Sequence, residues 1–590
     1  MNIDSRVSSL RKEMKADNID AFIIPSSDNH GSEYVSKYFR VREWISGFTG
    51  SAGTVVITAK EAHLWTDGRY FLQAAEQIKG TEFVLEKMGE PGVKTYIEWI
   101  VDNLDKGSNV SFNGKVFTVA QLHQLKAAFG EKSINIKPQA DLFNDLWKDR
   151  PAMPDGKLYI HDVKFAGKSI KEKLDEVRAD LKKNHTQSFL LSSLDDIAWL
   201  LNLRGSDVTC NPVFLSYLLM DAEKCTLYVD MAKVNAEVKK YLNDNSVEVK
   251  NYEDVISDLK DVKGTITLDP NKTNVWLLNA IDSNVEIQER MAVTTVLKAK
   301  KNKVEIKNIE NAHVKDGVAM VKFLKWLDEN VKNGDLTEIS VSEKLRGFRE
   351  EGKDFKDVSF GTIAGYGPHG AIIHYTATEE TDVKLQPKGL LLVDSGAQYL
   401  DGTTDITRTI ALGELTQEEM DDYTLVLRGH LDLGNALFLE GTQGCKLDIL
   451  ARTPLWNRLM DFKHGTGHGV GFFLNVHEGP QQIRRDMSNI ALEEGMLTSN
   501  EPGIYKAGKH GVRIENLVIV EPRTENEYGK FMGFNTVTLC PYELRAINKA
   551  LLSPDEITWL NEYHERVYKT LSPFLNNEEN AWLKNATRAI

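Results

Sequence analysis

The sequence predicts a mixed α/β protein of three domains, two similar α/β units followed by a longer third one that holds the candidate chemistry. Three observations carry that expectation: a helix-then-strand pattern occurs twice, a proline-bearing linker separates the copies, and strand-like and helix-like runs alternate through the rest. At an offset of 167 residues, Val7, Leu10, Met14 and Phe22 fall on Leu174, Val177, Leu181 and Phe189. In each copy the first three lie at i, i+3 and i+7, one face of a helix, and an apolar strand-like run follows, AFIIPSS at 21–27 and SFLLSS at 188–193. A tryptophan, a glycine-containing segment and a further run of strands come next in both copies. Between them LWKDRPAMPDGK, 146–157, reads as a linker and sets a boundary at 155. After NKTNVWLLNAIDSN the α/β pattern ends, and a long amphipathic helix begins near 303 with Ile306, Ile309, Met320, Leu324 and Leu327 on one stripe. The predicted domains are therefore 1–155, 156–303 and 304–590. Strands and helices alternate to about 520, and the last 70 residues, which include ITWLNEYHERVYKTL, read mostly as helix.

Composition narrows the function. A chain of 590 residues is too long for one core. Its net charge of -14, with no Lys/Arg block, argues against nucleic acid and anionic membranes as partners. Cys210, Cys225, Cys445 and Cys540 are scattered without a CxxC pair, which fits free thiols in a reducing compartment. MNIDSRVSSLRKEMKAD is polar and charged rather than signal-like, and no apolar run approaches membrane-spanning length. A soluble cytoplasmic protein is expected.

Two short motifs dissolve on inspection. GYGPHG, 365–370, matches GxGxxG, but Pro368 interrupts it and the strand-like AIIHY follows where a helix should open, so the glycines read as a loop. HERVY at 564–568 lacks the second histidine of a zinc-peptidase helix.

VDSGAQYLDGTTDITRT, 393–409, is more informative. Its arms read as a hairpin, and a turn centred between Tyr399 and Leu400 would set Asp394 and Asp405 directly opposite on one face. Two carboxylates roughly 5 Å apart repel unless a proton or cation lies between them. Asp401, beside Gly402, reads as a solvated turn residue. In SNEPGIYKAGKHGVRIENLVIVEP, 499–522, Glu501 precedes a Pro-Gly turn and Glu515 sits among apolar neighbours of a strand, where a charge needs compensation. A lone strand glutamate is more often an exposed edge residue. HGTGHGVGFFLNVHEGP, 464–480, places three histidines among glycines that no stable helix would tolerate. Taken together, four carboxylates and one imidazole suffice for two divalent cations about 3.5 to 4 Å apart. An oxygen-rich site with open positions points to hydrolysis by a metal-bound hydroxide, with Mn, Co or Zn chemically admissible.

In this order and spacing, DSGAQYLDGTTDITRT, HGTGHGVG, NVHEGP, EPG and RIEN resemble the pita-bread metallopeptidases, and within them the long, cytosolic-type aminopeptidase P, or Xaa-Pro aminopeptidase, family. FTGSAGTVVIT, LWTDGRYFLQAA, AWLLNLRG and the WLNEYH tail extend the resemblance over nearly the whole chain. It implies two creatinase-like domains before a pita-bread catalytic domain. It also implies metal ligands at Asp394, Asp405, His468, Glu501 and Glu515, with two cations, usually manganese. His374, His464 and His477 are implied to position substrate and handle protons, with Arg513 as an active-site arginine on the same strand face as Glu515. The implied reaction is attack of a dimetal-bound hydroxide on the Xaa-Pro carbonyl carbon of peptides with penultimate proline, Glu501 accepting the proton and passing it to the proline nitrogen. Homodimerisation is implied as well, with Trp456 matching a dimer-contact tryptophan, although a tryptophan in a helix reads nearly as well as core. Prolidase, a dipeptidase on the same scaffold, is the nearest alternative. Methionine aminopeptidases lack the N-terminal domains, and non-catalytic members of the fold have lost ligands that this chain keeps.

Overall fold

The computed structural model describes residues 2–590, which form two compact units. One comprises the chain to Asp162 together with Lys168–Thr295, and the other comprises Val163–Gly167 and Val296–Ile590.

In the first unit the repeat is realised as two sheets of the same design. Helices Ile3–Ala16 and Ile170–Lys183 start at Asn2 and Ser169, whose side chains accept from Ser5 N–H and Glu172 N–H. They bury Val7, Leu10, Met14 and Leu174, Val177, Leu181, the i, i+3, i+7 faces. Each helix feeds a central strand. Ala21–Pro25 pairs antiparallel with Thr54–Thr58 and parallel with Asn109–Asn113. Ser188–Leu191 pairs antiparallel with Ser216–Asp221 and parallel with Thr265–Leu268. The outer strands repeat the same senses, so both six-stranded sheets share one strand order. Phe22 and Phe189, the fourth matched pair, are fully buried in these strands.

The second unit is organised around the helix Lys303–Asn330. Asn302 caps its first turn in a reciprocal box with Glu305, and Ile309, Met320, Leu324 and Leu327 are buried while Ile306 is half-buried at its edge. Ile363–Tyr366, Leu390–Ser395 and Ile406–Ala411 form one antiparallel sheet. A second sheet runs Phe438–Leu439, Gly529–Thr536, Asn516–Asn526, Leu497–Asn500, Gly467–Gly469, Glu478–Ile483. Helix Gln417–Gly434 packs with the C-terminal helices Pro554–Leu571 and Asn577–Ala586 into an apolar cluster that includes Tyr423, Leu427, Leu560 and Leu583.

The second unit departs from the sequence reading in several elements. Gly529–Thr536 is a strand of the sheet, so only the later part of the tail is helical. AIIHY is not a strand: Gly367–Ala371 forms a 3₁₀ turn entered at a left-handed Gly367 (φ 52°), and Ile372 and Tyr375 N–H donate back to His369 and Ile372 carbonyls. Ile373 and Tyr375 are buried there by packing rather than by pairing. Trp456 ends helix Asp448–Trp456 and is 39% exposed, so it is not a core residue. His564 is buried and accepts from Tyr542 N–H at 3.0 Å, a structural role. Among the described residues no helix is long and apolar enough to cross a membrane, and the four cysteines are free thiols.

Candidate metal centre

The aspartates arrive by a register slightly different from the expected one. Asp394 faces Thr407 rather than Asp405, and a small hairpin, Ala397–Tyr399 with Gly402–Thr403, turns at Leu400 and Asp401. The turn lies one residue further along than the sequence suggested, which moves the pairing by two. A shift of two preserves the face, so Asp405, just before the strand, is the diagonal neighbour of Asp394 on the same side. Asp401 is buried, not solvated, because the turn lies against the long helix, where Lys315 Nζ meets its carboxylate at 2.6 Å.

Glu515 does not lie within a strand. It occupies the break between His510–Arg513 and Asn516–Asn526 and is buried, its N–H donating to Thr407 O at 3.1 Å and its Oε2 accepting from Thr407 Oγ1 at 2.8 Å. His468 lies on Gly467–Gly469, between strands Leu497–Asn500 and Glu478–Ile483. Its Nδ1 contacts the Gly469 carbonyl at 3.0 Å, which requires an N–H there and leaves the Nε2 lone pair facing carboxylates. Nε2 is 3.5 Å from Asp405 Oδ2 and 3.3 Å from Glu501 Oε1. One ligating atom each of Asp405, His468 and Glu515 lie within 4.8 Å of one another.

The electrostatics describe a cluster short of positive charge. Burial and the Asp394 and Glu501 charges push Asp405 well above the usual carboxylate range; burial and the Asp405 charge do the same to Glu515. Burial also raises Glu501, to about 7, against the pull of Arg513. Asp394 Oδ2 accepts from Arg513 Nη2 at 2.6 Å, whereas its Oδ1 is buried with no hydrogen-bond partner. Orphaned oxygen, crowded carboxylates and a presented imidazole lone pair together fit divalent cations.

His464 and His477 lie beside this cluster, and His374 follows a residue that Arg513 contacts. His464 Nε2 is 2.7 Å from Tyr505 Oη, and Arg513 Nη1 donates to that same oxygen at 2.8 Å, so an unbroken chain runs from His464 to Asp394. His464 Nδ1 stands 4.0 Å from Glu501. The His477 ring meets the His468 ring edge-on, centroids 4.3 Å apart. His374 follows Ile373, whose carbonyl accepts from Arg513 Nη2 at 3.3 Å. Sequence reasoning missed Tyr505, Thr407 and Ser499, the last accepting from His468 N–H and donating to Glu501. Their only sequence signal is nearness to the acidic motifs, since hydroxyl residues are common in loops.

Four segments of the chain match models of known families. Residues 6–146 and 149–305 each match the creatinase/prolidase N-terminal domain, 307–522 match metallopeptidase family M24, and 530–590 match the C-terminal region of peptidase M24. Xaa-Pro aminopeptidase 1 of Dictyostelium discoideum is 42% identical over all of this chain and 97% of its own length. The chain belongs to metallopeptidase family M24. It is therefore a hydrolase with creatinase-like N-terminal domains and a pita-bread domain. The crystal structure of X-prolyl aminopeptidase from Caenorhabditis elegans, described as a cytosolic enzyme with a di-nuclear active site, covers both chains completely with a TM-score of 0.96 at 33% identity. The prolidase of Thermococcus sibiricus matches 64% of this M24 chain and 99% of its own, with a TM-score of 0.51 at 25% identity.

The glycines of this M24 protein's HGTGHGVG segment are required by backbone approach. A Cβ on Gly467 would lie 2.0 Å from the Ser499 carbonyl oxygen, and one on Gly469 would lie 2.1 Å from that of Glu478. Gly467→Ala is expected to destabilise the protein by about 3 kcal/mol or more, at or beyond the upper end of overpacking costs, and to depress activity by displacing His468. Thermal unfolding checks this, with an unchanged midpoint as the contradicting result.

Proposed function

We propose that this chain removes the N-terminal residue from peptides with proline in the second position, using two divalent cations, manganese in the first instance with cobalt or zinc admissible. The observation that carries this reading is the grouping of Asp405, His468 and Glu515, with Glu501 3.3 Å from His468 Nε2 and the Asp394 charge acting on Asp405. These five residues are the proposed ligands. When bound, the cations supply Lewis acidity and neutralise the crowded carboxylates. Glu501, within 4.0 Å of His464, accepts a proton and returns it to the proline nitrogen. His374, His464 and His477 hold the substrate and the developing oxyanion, and Arg513 fixes Asp394 and Tyr505. An Xaa-Pro amide has no N–H, so a peptidase that grips that N–H gains nothing from it, and a dedicated site is needed.

We also propose the domain division 1–155, 156–303 and 304–590, a cytoplasmic location, and a homodimer that covers the exposed Trp456 and Leu459, which are 39% and 98% exposed. The net charge of -14 disfavours nucleic acid and anionic membranes as partners. The substrate assignment is tested by comparing Ala-Pro-Ala with Ala-Pro: preferential cleavage of the tripeptide is expected, and a strong preference for the dipeptide would make the enzyme a prolidase.

A further inference from the structure

Glu478 holds two buried ammonium groups. Lys301 Nζ is 2.7 Å from Oε1 and Lys298 Nζ is 3.2 Å from Oε2, and none of the three side chains is more than 1% exposed. Taking such ions out of water costs several kcal/mol each, and apolar side chains of the same volume often serve stability as well or better. Stability alone therefore gives no reason for this arrangement, but its location does. Glu478 directly follows His477 and stands opposite Gly469 in the ladder, beside His468. Its carbonyl oxygen fills the space a Gly469 Cβ would need, and its Oε2 lies 3.0 Å from the position of a Gly471 Cβ. The lysines come from a segment that is itself fixed: Lys301 N–H donates to the Gly495 carbonyl at 2.9 Å, Lys300 bridges to Met496, and Asn302 then caps the long helix.

We propose that Lys298, Glu478 and Lys301 form a positioning device for His477, pinning the residue after it so that its imidazole stays edge-on to His468. This rests on the reading that His477 faces substrate. Glu478→Gln keeps the shape and weakens the two ionic contacts. With Ala-Pro-Ala as substrate, it should lower kcat/KM about 10- to 100-fold, the usual effect of losing a supporting partner, while bound metal per chain stays essentially unchanged. In metal-free protein carrying ¹³C-labelled histidine, the His477 imidazole signal should move. In a His477→Ala background the same substitution should cost less than about twofold, because residues acting as one unit are not additive. Equal losses in both backgrounds would overturn the proposal, as would wild-type kcat/KM in Glu478→Gln. Wild-type kcat/KM in His477→Ala alone would overturn the reading of His477, and the proposal with it. If Glu478→Gln fails to fold, Lys301→Gln and Lys298→Gln, assayed in the same two backgrounds, decide by the same criteria.

Discussion

Asp405→Ala is expected to lower the kcat/KM for Xaa-Pro-Xaa peptides by about a thousandfold or more and to remove bound metal. The magnitude follows from what a metal contributes to a hydrolytic transition state, several kcal/mol, with each 1.36 kcal/mol worth tenfold in rate. The Asp405 carboxylate is 3.5 Å from His468 Nε2 and shares a ligating cluster with Glu515. The isosteric Asp405→Asn should behave alike in activity and metal content, which separates loss of charge from loss of packing. It should also raise the unfolding midpoint of the metal-free protein, because one of several mutually repelling buried carboxylates has gone. Kinetics with elemental analysis, and thermal scans of metal-free protein, check both signs. Retained activity together with retained metal would contradict the ligand assignment.

Arg513→Met should have the second largest effect. The guanidinium is buried and donates to Asp394 at 2.6 Å, to Tyr505 at 2.8 Å, and to Thr407 and Ile373 at 3.3 Å. Removing one partner of a buried ion pair typically costs about 3 to 5 kcal/mol, because the other charge is left uncompensated. A midpoint lowered by on the order of 10 °C is expected in the metal-free protein. Activity should fall too, since the His464–Tyr505–Arg513–Asp394 chain is cut at its centre. An unchanged midpoint would show that Asp394 does not depend on this cation.

The parts of the fold legible in the sequence were those whose signal is periodic. The offset of 167 marked the same helix and strand in two sheets because the buried positions of a helix recur wherever the same packing recurs. Asp394 and Asp405 share a face although Asp394 pairs with Thr407, because a slip of two residues keeps a strand's faces, whereas a slip of one would part the aspartates. What the sequence hid were contacts between distant segments. Asp401 read as solvated because nothing near it in the chain shows Lys315, and Glu515 read as part of a strand because the break before Asn516 is set by Thr407. Tyr505 and the lysines at Glu478 were invisible for the same reason: their partners lie elsewhere in the chain.

The central claim is that the five-residue cluster is a working dimetal site, and the most direct measurement is elemental analysis paired with turnover of Ala-Pro-Ala on the same preparation. About two divalent cations per chain are expected in active enzyme, with activity lost on chelation and restored by manganese. Full activity in protein shown to be free of metal would contradict it.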